Sequence, residues 1–170
     1  MAVRYRLTER KANELLHKHG VEHPPVPVEE LAVAMGISLR FEPFTGEMSG
    51  LLHRTSGGAT IGVNSAHAST RQRFTVAHEL GHYLLHNDEL HVDEGFLFRD
   101  ARAATATHEQ EIEANQFAAN LLMPAEFLRR EDVNVLDVEH ADAVRELAEK
   151  YGVSVQAMTL RLSKFLAYGL

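Results

Sequence analysis

Five consecutive residues, His78 to His82, read His-Glu-Leu-Gly-His and carry side chains suited to metal chemistry. Four residues of a helix turn the chain by about 400°, so the two imidazoles project from one face, about 6 Å apart along the axis. One zinc ion, bound at ~2.0 Å from each nitrogen, can bridge that span. Glu79 then reaches a water held by the metal rather than the metal itself. The motif predicts His78 and His82 as metal ligands and Glu79 as a general base.

A catalytic zinc ion takes a third protein ligand and keeps one coordination position open. The next long predicted helix, at 107–122, offers Glu111 and Glu113. At about 100° of rotation per residue, Glu111 lies about 60° from the centre of this helix's apolar face and Glu113 about 100° from it. We therefore predict Glu111 as the third ligand and Glu113 as the fallback. Asn115, one turn beyond Glu111, is predicted to hold the second nitrogen of a ligand histidine in the required tautomer.

Other polar side chains lie near the motif. His86 stands one turn beyond His82, so we expect it to point past the metal and to interact with the C-terminal end of its helix. Catalytic metal sites of this kind usually include a side chain that stabilises the oxyanion, and Tyr83, His53 and His91 are the candidates. The sequence does not distinguish among these three.

Hydrophobic periodicity and capping residues predict the elements that position these side chains. The class is α+β, with a small antiparallel sheet that contains one hairpin and packs on the active-site helix. We predict a core over 1–136 and a helical C-terminal region, a helix pair over 137–170 that packs on the core. The predicted helices are 8–20, 28–35, 71–86, 107–122, a short one after Pro124, 141–151 and 154–167; the predicted strands are 37–41 and the hairpin arms around Leu51 and Ile61, with a turn at 56–58.

Two segments are candidates for a role in substrate access. The strand at 59–64 either forms a sheet edge to which an extended substrate adds, or is purely structural. The segment 89–105, predicted as a loop, lies between the two ligand-bearing helices and is a candidate lid over the site.

The composition excludes several classes of protein. The 170 residues, 45% hydrophobic and 24% charged, fit a globular domain. Because cysteine is absent, disulfide scaffolds and thiol nucleophiles are excluded, and His, Asp or Glu must hold any metal. The net charge of −7 argues against direct nucleic-acid binding and suits a basic protein partner. The charged N-terminus is no secretory signal and the longest apolar run, 31–37, is too short to span a membrane, so we expect a cytoplasmic protein without membrane attachment.

The segments RFTVAHELGHYLLH and EIEANQFAANLLMP resemble the ImmA/IrrE family of bacterial metallo-endopeptidases, a group of zincins whose third ligand is a glutamate. The resemblance implies a minimal zincin fold, a zinc ion held by His78, His82 and Glu111, and Glu79 as the base. It also implies cleavage of a helix-turn-helix repressor, which derepresses stress-response or mobile-element genes. Two histidines and a carboxylate also accept Mn²⁺ and other divalent metals, so zinc is the expected metal by resemblance alone.

Two other functions stay open at this point. One is a non-catalytic, metal-stabilised module that sequesters a repressor. The other is a DNA-binding regulator, because 137–170 resembles a helix-turn-helix. That segment carries four basic and five acidic residues, a net charge of −1, which makes a poor DNA-binding face. A helix pair that packs on the core or docks a partner is therefore favoured.

Overall fold

A computed structural model describes residues 2–87, 89–93, 108–131 and 141–168. Within these ranges the chain contains both helices and strands up to residue 93 and only helices after it, which confirms the predicted α+β class. The helices are α1 (Tyr5–Lys18), α2 (Val28–Ala34), α3 (Ser69–Leu85), α4 (His108–Leu122), α5 (Ala125–Arg130), α6 (Ala141–Tyr151) and α7 (Val155–Tyr168), and the strands are β1 (Ile37–Glu42), β2 (Gly50–Thr55), β3 (Gly58–Asn64) and β4 (Leu90–Asp93).

The described sheet has the order β1-β3-β2-β4 and is mixed, not antiparallel throughout as predicted. The hairpin β2–β3 is antiparallel, as is the pair β2–β4, but β1 runs parallel to β3, with Ile37 opposite Ala59. The prediction was wrong on this point because alternation of apolar and polar residues reports the two faces of a strand and not the direction of its neighbour. The segment that contains β2 serves as the connection between the parallel strands.

Strand β3 lies in the interior of the sheet, between β1 and β2. The hypothesis that 59–64 offers a free edge to a substrate is therefore wrong, because both rows of its backbone hydrogen bonds are used by neighbouring strands. The edges of the described sheet are β1 and β4.

Strand β4 falls in the segment predicted as a loop. It covers only Leu90–Asp93, which is too short for a recognisable period, and pairing with β2 brings His91 opposite Leu52. The remainder of the proposed lid, 94–105, lies outside the described residues, so that hypothesis stays untested.

Helix α3 is the central element of the site. It is buried without interruption from Thr75 to His82, although no side chain caps its N-terminus. Its C-terminal end is satisfied by Arg54 of β2, whose Nη2 donates to the carbonyl oxygens of His82 (2.9 Å), Tyr83 (2.9 Å) and His86 (2.7 Å). The carbonyl oxygen of His82 also accepts from the backbone N–H of His86 at 3.0 Å, and the last carbonyls of a helix lack a full set of backbone donors, so the Arg54 guanidinium fixes the end of α3 that carries the histidines.

Helix α4 packs closely on α3 at Gly81. A Cβ atom at this position would lie 3.0 Å from the Cα of Ala114 and 3.2 Å from its carbonyl oxygen. Because backbone atoms cannot move aside as side chains do, glycine is required for this approach. The contact brings Glu111, one turn earlier on α4, towards the histidines of α3.

The C-terminal helices share the apolar core of the rest of the chain, through residues such as Leu147, Tyr151 and Met158. Arg73 of α3 donates to the carbonyl oxygen of Gly152, between α6 and α7, at 3.1 Å. The predicted boundary between residues 136 and 137 lies outside the described residues, and the division into two units stays a prediction.

Arg161 of α7, one of the four basic residues of the segment 137–170 that resembles a helix-turn-helix, is buried. It is only 4% exposed and its Nε donates to the carbonyl oxygen of Met123 at 3.0 Å. Its guanidinium therefore holds α7 to the core and cannot reach a base edge. No helix in the described ranges is both long enough and apolar enough to cross a membrane.

Candidate metal centre

Three elements bring four side chains of metal-ligand type together. Helix α3 supplies His78 and His82, α4 supplies Glu111, and β4 supplies His91. One ligand atom from each lies within 4.8 Å of all the others. The three histidines are buried and Glu111 is partly exposed, so the group could hold a metal ion at the edge of the core. The three residues predicted as ligands are therefore neighbours in the fold, and His91 joins them.

The spacing of the ligand atoms fits one small divalent ion. His78 Nε2 lies 3.1 Å from His82 Nε2 and 3.6 Å from Glu111 Oε2, and His82 Nε2 lies 3.5 Å from Glu111 Oε1. Ligand atoms held tetrahedrally at ~2.0–2.1 Å from a zinc ion are about 3.3 Å apart. The three measured edges scatter around that value.

His91 contributes differently from the other two histidines. Its Nε2 lies 3.6 Å from Glu111 Oε1, and its ring stacks on that of His82 with centroids 3.6 Å apart and planes at 20°. Imidazoles that bind the same tetrahedral ion diverge from it, as the edge-on pair His78 and His82 does, with centroids 4.7 Å apart. His91 therefore lies beside the other three groups, with its ring packed on that of His82.

The two other candidates for oxyanion stabilisation lie elsewhere. His53 neighbours Leu52 along β2 and so faces the opposite side of the sheet from the Leu52–His91 pair. The Tyr83 ring is covered by the Arg54 guanidinium, whose Cζ lies 4.6 Å from the ring centroid. Of the three candidates, His91 alone is brought to the cluster.

Glu79 is fully buried on α3, next to His78. Its Oε1 lies 3.4 Å from the position that a Cβ atom would take at Gly50, the first residue of β2. Thr75, one turn earlier on α3, lies closer still to that position, with its Cγ2 at 2.4 Å. A side chain at position 50 would therefore collide with the Thr75 side chain, and its absence lets β2 pack against the part of α3 that carries Glu79.

The hydrogen-bond partner of His78 determines its tautomer. Its Nδ1 lies 3.0 Å from Oδ1 of Asn115 on α4. An amide oxygen only accepts, so Nδ1 donates and the lone pair of Nε2 faces Glu111 and His82. This is the tautomer that a metal ligand requires.

His82 is neutral, because burial, followed by the neighbouring histidines His78, His91 and His86, lowers its pKa well below the ordinary value. A neutral imidazole keeps one lone pair for a metal. The second nitrogen of His82, Nδ1, lies 3.1 Å from Nδ1 of His86. His86 thus points past the cluster, as its position one turn further along α3 predicts, and contacts the far side of the His82 ring.

Glu113 is directed away from the cluster by Arg4. Its Oε1 accepts from the backbone N–H and Nε of Arg4 at 2.8 and 2.9 Å, and its Oε2 lies 2.6 Å from the Arg4 guanidinium. These hydrogen bonds lower the pKa of Glu113 to about 2. Oε2 also lies 3.1 Å from His86 Nε2. The helical projection ranked Glu113 as less buried than Glu111, but Glu113 is 3% exposed and the Glu111 side chain 26%, because the chain around Arg4 covers this side of α4.

Comparison with known proteins gives a family match and matches to solved structures. The model of the IrrE N-terminal-like domain family, Peptidase M78, matches residues 32–163, most of the chain. A Mycobacterium tuberculosis transcriptional regulator of known structure is similar to the chain with a TM-score of 0.56 and 16% sequence identity. The match covers 90% of this chain and 45% of the regulator, so the chain spans less than half of that protein and the likeness concerns the fold. No curated protein sequence matches the chain significantly.

Proposed function

The chain belongs to the IrrE N-terminal-like domain family, Peptidase M78, and we propose that it is a zinc-dependent endopeptidase that cleaves a regulatory protein. One observation carries this proposal. His78, His82 and Glu111 converge at spacings of 3.1 to 3.6 Å, and the buried Glu79 adjoins the first of them. Two histidines, a glutamate and a neighbouring carboxylate are the donor set of a catalytic zinc site with one open position.

The chemistry divides between the metal and the chain's own residues. A bound zinc ion supplies Lewis-acid polarisation of the scissile carbonyl and lowers the pKa of a water. Glu79 takes the proton of the attacking water and passes it to the leaving amine, so peptide hydrolysis proceeds without a covalent intermediate. His91, on the side of the site left by the three ligands, donates a hydrogen bond to the oxygen that becomes negatively charged.

The proposed substrate is a helix-turn-helix repressor, whose cleavage derepresses stress-response or mobile-element genes. Three features support it: the family resemblance of the two long motifs, the net charge of −7, which suits a basic partner, and the edge strand β4 beside the site. An extended substrate segment can add to β4 through backbone hydrogen bonds, which brings its scissile bond close to His91.

Cleavage is tested with the purified protein and the helix-turn-helix protein encoded nearest its gene, by intact mass, with zinc, with manganese and with a chelator. We expect cleavage at one site that needs metal and is lost with the chelator. Glu79→Gln is expected to keep its metal and to cleave at least ~100-fold more slowly, since its amide cannot accept a proton.

Glu126→Gln is the matched control, because Glu126 is an exposed glutamate on α5 that pairs only with Arg130 among the described residues. It is expected to cleave at the rate of the unmodified chain. If Glu79→Gln cleaves as fast as this control, Glu79 is not the base.

A non-catalytic role has one observation in its favour. Four ligand-type side chains lie within 4.8 Å of one another, and a structural zinc site takes four protein ligands. In this role the chain would bind a repressor without cutting it. Tight complex formation without cleavage, unchanged in Glu79→Gln, would support sequestration over proteolysis.

A further inference from the structure

We infer that His86 and Glu113 are positioning residues that determine which nitrogen of His82 faces the metal, with Arg4 as the anchor of the chain of hydrogen bonds. The inference rests on the metal site of the proposed function and extends it to residues outside the ligand set. The chain of contacts runs from Arg4 to Glu113, then to His86 and then to His82.

The direction of these hydrogen bonds follows from the pair formed by Arg4 and Glu113. The Glu113 carboxylate is bound on both oxygens by Arg4, at 2.6 to 2.9 Å, so it is ionised and can only accept. Its Oε2 lies 3.1 Å from His86 Nε2, and His86 Nε2 must therefore carry the hydrogen. With Nε2 as the donor to Glu113, Nδ1 is the nitrogen of His86 that faces His82 and can accept from it.

The same reasoning extends to the ligand. Because His86 Nδ1 accepts, the group that donates to it across 3.1 Å is Nδ1 of His82. His82 then carries its hydrogen on Nδ1 and presents the lone pair of Nε2 to His78 and Glu111. With the opposite polarity, an N–H would face the position of the metal and binding would be blocked.

Burial makes this arrangement effective. His82, His86 and Glu113 are all buried, so water does not compete for their hydrogen bonds. Arg4, by contrast, has a half-exposed side chain, and its Nη2 also lies 3.4 Å from the carbonyl oxygen of Leu85. The residue that precedes α1 is thus connected to a ligand on α3 through a carboxylate on α4.

The two ligand histidines have separate hydrogen-bond partners, so the effects of substitutions on one side can be compared with those on the other. His78 is oriented by Asn115, whereas His82 is oriented by His86 and Glu113 acting in series. Substitutions within one support should therefore overlap in their effects, whereas substitutions in different supports should combine.

The test is the zinc dissociation constant of the folded chain at one fixed pH, measured by competition with a chromogenic chelator. We expect His86→Ala and Glu113→Gln each to weaken zinc binding by about 10–100-fold, the usual cost of losing a partner of a ligand histidine. The double variant with both substitutions should bind zinc no more weakly than the weaker of the two single variants. His86→Ala combined with Asn115→Ala should show the product of the two separate effects.

Two further variants separate positioning from simple structural support. His86→Gln retains an acceptor and a donor, and should restore part of the affinity lost in His86→Ala. Arg73→Ala removes partly buried hydrogen bonds to Gly152 and Val26 that are remote from His82. It should lower the thermal stability of the metal-free chain and leave the zinc affinity unchanged.

The inference is overturned if His86→Ala and Glu113→Gln bind zinc within about 2-fold of the unmodified chain, or if affinity only follows thermal stability across the set, Arg73→Ala included. It is also overturned if the unmodified chain binds no zinc. The zinc titration contains no substrate and is therefore independent of cleavage. A chain that shows the expected zinc affinities but cleaves nothing in the mass assay contradicts the proposed protease and leaves this inference standing.

Discussion

Glu111 and Glu113 lie two residues apart on α4, and one distant partner separates their roles. Arg4 holds Glu113 in a partly buried ion pair that also contacts His86, while the Glu111 carboxylate stays beside His78 and His82. A helical projection treats α4 by itself and cannot include a residue 109 positions away in sequence. It therefore selected the correct neighbour of the histidines and ranked the burial of the two glutamates in the wrong order.

Tyr151 leads to another prediction about a single residue, which concerns how the stability of the protein depends on pH. Its hydroxyl donates to Glu131 at 3.1 Å, and burial, followed by the Glu131 charge, raises the pKa of Tyr151 above its usual value. The folded state thus favours the neutral phenol. The contribution of Tyr151 to the free energy of unfolding is complete below the pKa of an unfolded tyrosine, about 10. It is lost as the pH rises from there towards the higher pKa of the folded state.

We therefore expect the free energy of unfolding to fall with pH above about 10, and Tyr151→Phe to lack that part of the decrease. At pH 7 this variant should be about 1–2 kcal/mol less stable, because its hydrogen bond is lost. Urea unfolding between pH 7 and 11 measures both effects. Tyr5→Phe, at an exposed tyrosine, is the matched control; equal pH dependence in the two variants would contradict the prediction.

At the scale of elements, the site depends on how closely α3 and α4 approach. Gly81 permits that approach, and Arg54 fixes the end of α3 that leads into His86. Strand β4 completes the arrangement by carrying His91 to the same side of the sheet as Leu52. Each contact joins elements distant in the chain, so the geometry of the site is a property of their packing.

Gly81→Ala tests the helix contact. The added Cβ would lie 3.0 Å from the Cα atom of Ala114. Because this Cα belongs to the backbone of α4 and cannot rotate aside, the two helices must separate. Within a helix this substitution alone would gain up to about 1 kcal/mol. We expect instead a net loss of about 1–3 kcal/mol in unfolding free energy, together with weaker zinc binding as Glu111 moves away.

Urea unfolding and zinc titration measure these two effects. Gly57→Ala is the control, because its added Cβ would meet only Thr55 Oγ1, at an ordinary 3.7 Å. A Gly81→Ala chain as stable as this control, with unchanged zinc affinity, would show that the helices tolerate the extra atom.

At the scale of the whole molecule, the apolar core and the metal cluster are separate sources of stability. Residues of α1, α3, α4 and α7 meet in one buried cluster that includes Leu15, Leu80, Phe117 and Met158. The ligand group lies at its edge, with Glu111 partly exposed. A core of this extent does not need a metal to form.

We therefore expect the chain to stay folded in a chelator and zinc to raise its melting temperature by mass action. Zinc at 1,000 times its dissociation constant adds about 4 kcal/mol, which corresponds to roughly 8–16 °C in a chain of this size. Differential scanning calorimetry with chelator and with zinc measures the shift, and His78→Ala should show almost none. Unfolding on removal of the metal would instead indicate a site that holds the fold together.

Local features of this protein were predictable from its sequence, because their causes lie within one element. The spacing of His78 and His82 places both on one helix face, and periodicity and breaker residues locate most of the helices, the hairpin and the α+β class. The helical projection of 107–122 selected Glu111, and the family resemblance implies the same residue.

Only the tertiary structure decided which distant segments meet. The parallel pairing of β1 with β3, the arrival of His91 on β4 and the anchoring of Glu113 by Arg4 all join parts of the chain that no local period connects. The physical reason is that periodicity records which face of an element is buried, whereas the partner on that face is selected by packing and hydrogen bonding over the whole chain.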